Sequence, residues 1–214
     1  MKTELIDNNS NDLIIFLTGW GCDARQFRFM KSKDNDILIM YDYSDLSLDF
    51  DFSKYDKIYL VGFSAGVYVG GLVVDKLPKL TKTIAINGNP LAYDNYFGLR
   101  KEIKNIFEGV SSETALGFRR KYMVTNDDEY NLFNRYHPCR SYESCKTELK
   151  SLAGYYKDSK ALDYDVAILS EQDKIFDAER QKEYWESRSR CVYLKESAHF
   201  PFFVLDNFDE IIKV

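Results

Sequence analysis

The segment KIYLVGFSAGVYVG, residues 57–70, runs from apolar residues into Gly62-Phe63-Ser64-Ala65-Gly66 and then back to small and apolar ones. A short run rich in β-branched and aromatic side chains that ends at a glycine predicts a buried strand over 58–62. The residues after the serine predict a helix over 65–77. Gly-x-Ser-x-Gly between a strand and a helix is the pattern of a sharp turn that holds a serine hydroxyl clear of a sheet edge. Strand and helix pass closely there, which is why the positions two residues either side of the serine carry no side chain. The amides that open the helix, with the positive end of its dipole, then face any negative charge that develops beside the serine.

Working outward, five more runs have strand character: 13–17 (LIIFL), 36–41 (DILIMY), 82–86 (KTIAI), 165–170 (DVAILS) and 191–194 (CVYL). Their near-continuous apolar content suits strands covered on both faces. Helical patterns lie between several of them, and further helices are expected over 177–188 and 201–213. Strands alternating with helices predict an α/β protein built on a largely parallel sheet. The interval 88–163 breaks the rhythm: it offers helical patterns such as 141–156, with Tyr142, Cys145, Leu149, Leu152 and Tyr156 at helical spacing behind a Ser141 cap. We read the chain as a single domain, 1–214, with a helical lid inserted over 88–163.

The formal net charge of −5 argues against a general affinity for nucleic acid. No run approaches the length of a membrane span, and the N-terminal residues lack the apolar core of a signal peptide. A cytoplasmic monomer is expected. The cysteines Cys22, Cys139, Cys145 and Cys191 form no CxxC pair and are read as free thiols; no metal and no cofactor is expected.

A serine nucleophile needs a base and an acid that orients it. Of the two histidines, His199 in ESAHFPFF follows the last expected strand and precedes the last helix, where a base belongs in the chain order Ser, Asp, His. His137 falls inside the insertion and needs no special role. Asp173, in the loop after strand 165–170, is the candidate acid; Asp94, past strand 82–86, is the alternative. An oxyanion hole needs two amides, one from Ala65 and one from the loop after the first core strand, Thr18-Gly19-Trp20-Gly21, where Trp20 is the candidate.

With Gly19-Trp20-Gly21, Gly62-Phe63-Ser64-Ala65-Gly66 and Ala198-His199-Phe200-Pro201 in place, the chain resembles an α/β-hydrolase. More narrowly it is similar to the BioG-type pimeloyl-[acyl-carrier protein] methyl ester esterases of biotin biosynthesis. AINGNPLAYDNYFGL, residues 85–99, and IFEG, residues 106–109, extend the resemblance over nearly the full length. It departs from many hydrolases in having Thr18-Gly19 where they have His-Gly. The resemblance implies a carboxylesterase acting on a pimeloyl methyl ester carried as a thioester on acyl carrier protein, with Ser64 as nucleophile and His199 as base. A generalist short-chain carboxylesterase or thioesterase, or a non-catalytic carrier-protein binding module, are the alternatives. Pro90 to Lys160 carries a charge of +2 and the rest of the chain −7, so an acidic carrier would meet the insertion. Arg119, Arg120, Lys121, Arg135 and Arg140 are the candidates for that contact.

Overall fold

The computed structural model describes residues 1–156 and 160–214. Seven strands form one sheet: β1 (Lys2–Ile6), β2 (Asp12–Leu17), β3 (Asp36–Tyr41), β4 (Lys57–Phe63), β5 (Lys82–Ile86), β6 (Val166–Ser170) and β7 (Arg190–Leu194). Their order across the sheet is β1-β3-β2-β4-β5-β6-β7. Every pairing is parallel except that of β1 with β3. The expected parallel α/β sheet is therefore present, and the serine-bearing strand β4 lies at its centre between β2 and β5.

The apolar runs are continuous because both faces are covered. Phe16, Val61, Phe63, Ile84 and Ile168 enter one core, and Leu13, Ile15, Leu17, Leu38 and Leu60 enter the other. Helix α1 (Ala65–Val73) follows β4 directly and gives way to a 3-10 turn over Val74–Lys76. Between β5 and β6, the described part of the chain holds α2 (Lys101–Glu108), α3 (Ser112–Phe118), a π-helical turn (Arg119–Met123), α4 (Asp127–Arg135) and α5 (Tyr142–Tyr155). These helices lie within the interval 88–163, of which residues 157–159 lie outside the described residues. Ser141 caps α5 by accepting from the Ser144 amide (3.2 Å). Asp177 caps α6 (Ala178–Glu186) in the same way through the Arg180 amide (3.2 Å). No described helix is long and apolar enough to cross a membrane.

Two expectations change. The single helix expected over 201–213 is instead a 3-10 turn (Pro201–Phe203) and a short α7 (Phe208–Ile211). Asn207 starts the second piece, accepting from the Asp209 amide (2.9 Å). Strand β1 was not foreseen, because KTELI is polar and mostly exposed, as suits a sheet edge that water must cover.

The loop joining β1 to β2 is pinned by Asp36, at the start of β3. Its carboxylate accepts from the Asn8 amide (2.8 Å), the Ser10 amide (3.1 Å), the Tyr55 hydroxyl (3.0 Å) and Lys54 Nζ (2.8 Å). Burial pushes the pKa of this group up, but Lys54 and the two amides outweigh it and hold the value at about 2. The folded pKa lies below that of the unfolded chain, so the stabilisation is present above pH 4 and disappears as pH falls towards 2. Asp36→Asn should therefore cost about 2 kcal/mol at pH 7. In urea melts the gap from wild type should close between pH 4 and pH 2.

Candidate active site

Ser64 sits between β4 and α1 with φ 54° and ψ −118°, a conformation that costs a non-glycine residue about 1–3 kcal/mol. Its surroundings hold it there. Its amide donates to Ile86 O (2.9 Å), and its carbonyl accepts from the Val67 amide (3.1 Å). Two glycines make the close approach possible: a Cβ on Gly66 would lie 2.1 Å from Leu17 O, and one on Gly88 would lie 2.4 Å from Ser64 O. The sharp turn read from the sequence is thus built by β2 and β5 pressing on either side of the serine.

Ser64 Oγ lies 2.9 Å from His199 Nε2, and His199 Nδ1 lies 2.8 Å from Asp173 Oδ2. A carboxylate can only accept, so Nδ1 carries the hydrogen and Nε2 is left to accept from the serine hydroxyl. The second Asp173 oxygen accepts from the Ile175 amide (2.8 Å) and the Phe176 amide (3.3 Å), which fixes the carboxylate's direction. His199 is 2% exposed, and its ring packs between Phe63 and Phe176. Asp94, the alternative acid, is occupied elsewhere: it closes a turn by accepting from the Tyr96 (2.7 Å) and Phe97 (2.8 Å) amides. The geometry brings together Ser64, His199 and Asp173, and leaves Asp94 out.

These groups open onto a cavity of about 410 Å³ whose walls are mainly apolar, among them Tyr68, Phe107, Leu116, Met123 and Phe133. Trp20 and Ala65 line it beside Ser64. Ala65 opens α1, so its amide has no carbonyl one turn back to meet. Trp20 stacks on Phe107 (4.2 Å between ring centroids), and its indole donates to Cys145 O (2.7 Å). Cys22 also lines the cavity; burial, reinforced by the nearby Glu148 carboxylate, pushes the pKa of its thiol up.

Of the basic residues expected to face a partner, Lys121 and Arg135 are exposed. Arg120 is exposed too, but pairs with Asp127 and lies over the Tyr130 ring. Arg119 lines the cavity and reaches Asn134 Oδ1 at 3.4 Å. Arg140 is a correction. Its side chain is only 5% exposed and is committed to Glu148 (2.6 Å) and Asp42 (3.0 Å), so it has no surface to offer a partner. Its pairing is hard to see along the chain, because Asp42 lies far upstream and Glu148 occupies a helical position that calls for an apolar residue.

Asn87 is a site residue that sequence reasoning passed over. It adopts φ 45°, which asparagine tolerates better than most residues. Its side-chain amide donates to His199 O (2.9 Å), Ala198 O (3.3 Å) and Ser170 Oγ (2.8 Å), and its carbonyl accepts from the Ser170 amide (2.8 Å). One side chain thereby ties the His199 loop to the end of β6, from which the Asp173 loop departs. The available signal was the INGNP motif, whose asparagine and glycine follow β5 immediately. Asn87→Gly keeps the backbone conformation accessible and deletes the tie. It should slow fluorophosphonate labelling of Ser64 by at least about tenfold, because a displacement of about 1 Å in a reacting group costs on the order of 100-fold.

The model of the family "Pimeloyl-ACP methyl esterase BioG" matches residues 1–210. The crystal structure of BioG from Haemophilus influenzae is similar at 32% identity and a TM-score of 0.86, with 99% of each chain covered. A malonyl-[acyl-carrier protein] O-methyltransferase of Bacteroides fragilis is 31% identical over 199 residues, which is 88% of this chain and 39% of that protein. An esterase from Exiguobacterium antarcticum, at 14% identity, a TM-score of 0.68 and 99% and 91% of the two chains, shares the fold. The sheet described above is that of an α/β-hydrolase, and the chain belongs to the BioG family.

Proposed function

We propose that this protein hydrolyses the methyl ester of pimeloyl-[acyl-carrier protein], releasing methanol and the free pimeloyl carrier, by serine catalysis. The observation that carries the proposal is the hydrogen-bonded chain from Asp173 through His199 to Ser64, opening on an apolar cavity in a member of this family. His199 takes the Ser64 proton as Oγ attacks the ester carbonyl, and Asp173 holds the imidazole in the required tautomer and stabilises its cation. The amides of Trp20 and Ala65 receive the oxyanion; a donor in such a place contributes about 3 kcal/mol to the transition state. Methanol departs with the proton from His199. Water then attacks the acyl-enzyme with His199 again taking a proton as base. As the acyl–Oγ bond breaks, His199 returns the proton to Ser64 and the carboxylic acid product leaves.

The apolar walls suit a methylene chain. Most of the lining is apolar, with Arg119 and the already paired Arg140 as its cationic groups, so over most of the cavity an esterified end is less costly to bury than an ionised one. The helices between β5 and β6 act as the lid, and the carrier docks on its basic side. Arg119, Arg120, Lys121 and Arg135 remain as the contacts there, and Arg140 drops out. The name of the Bacteroides relative, a methyltransferase acting on a carrier-bound acyl group, supports the same substrate class.

Incubating pimeloyl-[acyl-carrier protein] methyl ester with the enzyme should lower its mass by one methylene, as read by intact-protein mass spectrometry; Ser64→Ala should leave the ester whole. An intact ester in both samples, alongside turnover of simple aryl esters, would remove the biotin assignment and keep the hydrolase. The carrier contact has its own check. Lys121→Glu and Arg135→Glu should raise KM for the carrier-linked ester about three- to tenfold at low salt, with the rise shrinking as ionic strength increases.

A further inference from the structure

Helix α5 carries a carboxylate where the helical pattern calls for an apolar residue. Glu148 is 0% exposed. One of its oxygens accepts from the Tyr43 amide (3.0 Å), the other from the Gly21 amide (3.0 Å) and from Arg140 (2.6 Å). Arg140 in turn holds Asp42 (3.0 Å) and Ser144 Oγ (2.9 Å). Burying three charges is costly, and as a pure source of stability such a cluster does no better than apolar side chains of similar size. Its contacts point to another use.

The bonds of this cluster fall on both sides of Trp20. Downstream, the Gly21 amide is held by Glu148 at a position with φ 73°, and the Trp20 indole is held by Cys145 O, also on α5. Upstream, Thr18 O accepts from the Tyr43 hydroxyl (2.9 Å), and the amide of that same Tyr43 rests on Glu148. The Trp20–Gly21 peptide directly, and the Thr18–Gly19 peptide through Tyr43, are thus anchored to a single carboxylate that belongs to the insertion. The Gly19–Trp20 peptide between them closes a turn in which Gly19 O accepts from the Cys22 amide (3.2 Å). Among the described residues none accepts from the Trp20 N–H, which leaves it for a ligand.

We propose that Glu148, backed by Arg140, is the positioning residue of the oxyanion hole: it fixes the Trp20 amide relative to Ser64, which makes one helix of the inserted segment part of the catalytic apparatus. This rests on the serine-esterase reading above but not on the identity of the acyl group, since every ester forms the same oxyanion. Exchanging the carboxylate for an amide leaves one acceptor oxygen for two N–H groups, so either the Gly21 or the Tyr43 amide loses its partner and the Trp20 loop relaxes from the geometry that suits the tetrahedral anion. The ground-state ester does not depend on that geometry, so the penalty falls on kcat.

The experiment uses the full chain and a p-nitrophenyl ester, with folding followed by thermal melts. Glu148→Gln should lower kcat about 10- to 100-fold while KM moves less than about threefold, in the range expected for one misplaced oxyanion donor. Fluorophosphonate labelling of Ser64, which passes through a similar anion, should slow by the same factor. Arg140→Lys, which keeps a cation against Glu148 but loses the fork, should lower kcat about threefold, again at constant KM. A folded Glu148→Gln enzyme with kcat within twofold of wild type overturns the proposal, as does a loss borne by KM alone. If Glu148→Gln does not fold, Arg140→Lys decides, and an unchanged kcat in that variant overturns the proposal. If wild type neither turns over the aryl ester nor takes the label, the esterase reading itself falls and takes this inference with it.

Discussion

The site depends on one strained residue held by two strands. Ser64 occupies a backbone conformation worth about 1–3 kcal/mol of strain, and it stays there because β2 and β5 leave it no alternative. Leu17 presses on the turn from one side through Gly66, and Ile86 and Gly88 hold it from the other. The parallel sheet makes this possible: β4 is central, so both neighbouring strands end at the same edge as the serine. The loops that leave those ends have little choice about where they go, and their side chains meet around the hydroxyl.

What the sheet brings together, buried polar groups then hold in place. Asn87 binds the His199 loop to the end of β6, and Glu148 binds the loops after β2 and β3 to α5. The Phe200 amide, one residue past the histidine, donates to Met123 O at the end of the π-helical turn (3.0 Å). The inserted helices are therefore joined to the sheet next to the serine's partner and next to the Trp20 loop. In the proposed reaction, cover and catalytic groups are parts of one hydrogen-bonded structure, with most of its donors and acceptors out of water, where each bond counts for more.

How much of this could be read from the chain follows from the range of the interactions involved. The six core strands, α1, α5 and the Gly-x-Ser-x-Gly turn were legible because periodicity, caps and turn chemistry act over a few residues. Chain order named Ser64, Asp173 and His199 as the candidates, with Asp94 as the alternative acid; only the folded chain shows the direction of the Asp173 carboxylate, towards His199. β1 stayed hidden because an edge strand covered by water carries no apolar signature. Arg140 was read as surface, and Glu148 was not read at all, because a charge is assigned outward unless its partner is known. Arg140 and Glu148 pair with each other across the start of α5, and their remaining partners, Asp42 and Tyr43, sit in a loop about 100 residues upstream. Asn87 was visible as part of a motif, but its bonds to residues 170, 198 and 199 exist only in the folded chain.

Two thiols, those of Cys22 and Cys145, also line the cavity. Burial, reinforced by the nearby Glu148 carboxylate, pushes the pKa of the Cys22 thiol up, and burial raises that of Cys145 to about 11, so both favour the uncharged form at neutral pH. Thioesters exchange with thiolates and hardly at all with thiols. A substrate tethered to its carrier through a thioester would lose its acyl group to any thiolate it met on the way to the serine. In the proposed reaction the uncharged Cys22 and Cys145 give it no such trap, so the linkage most exposed to sulfur chemistry would stay intact while a neighbouring oxygen ester is cut.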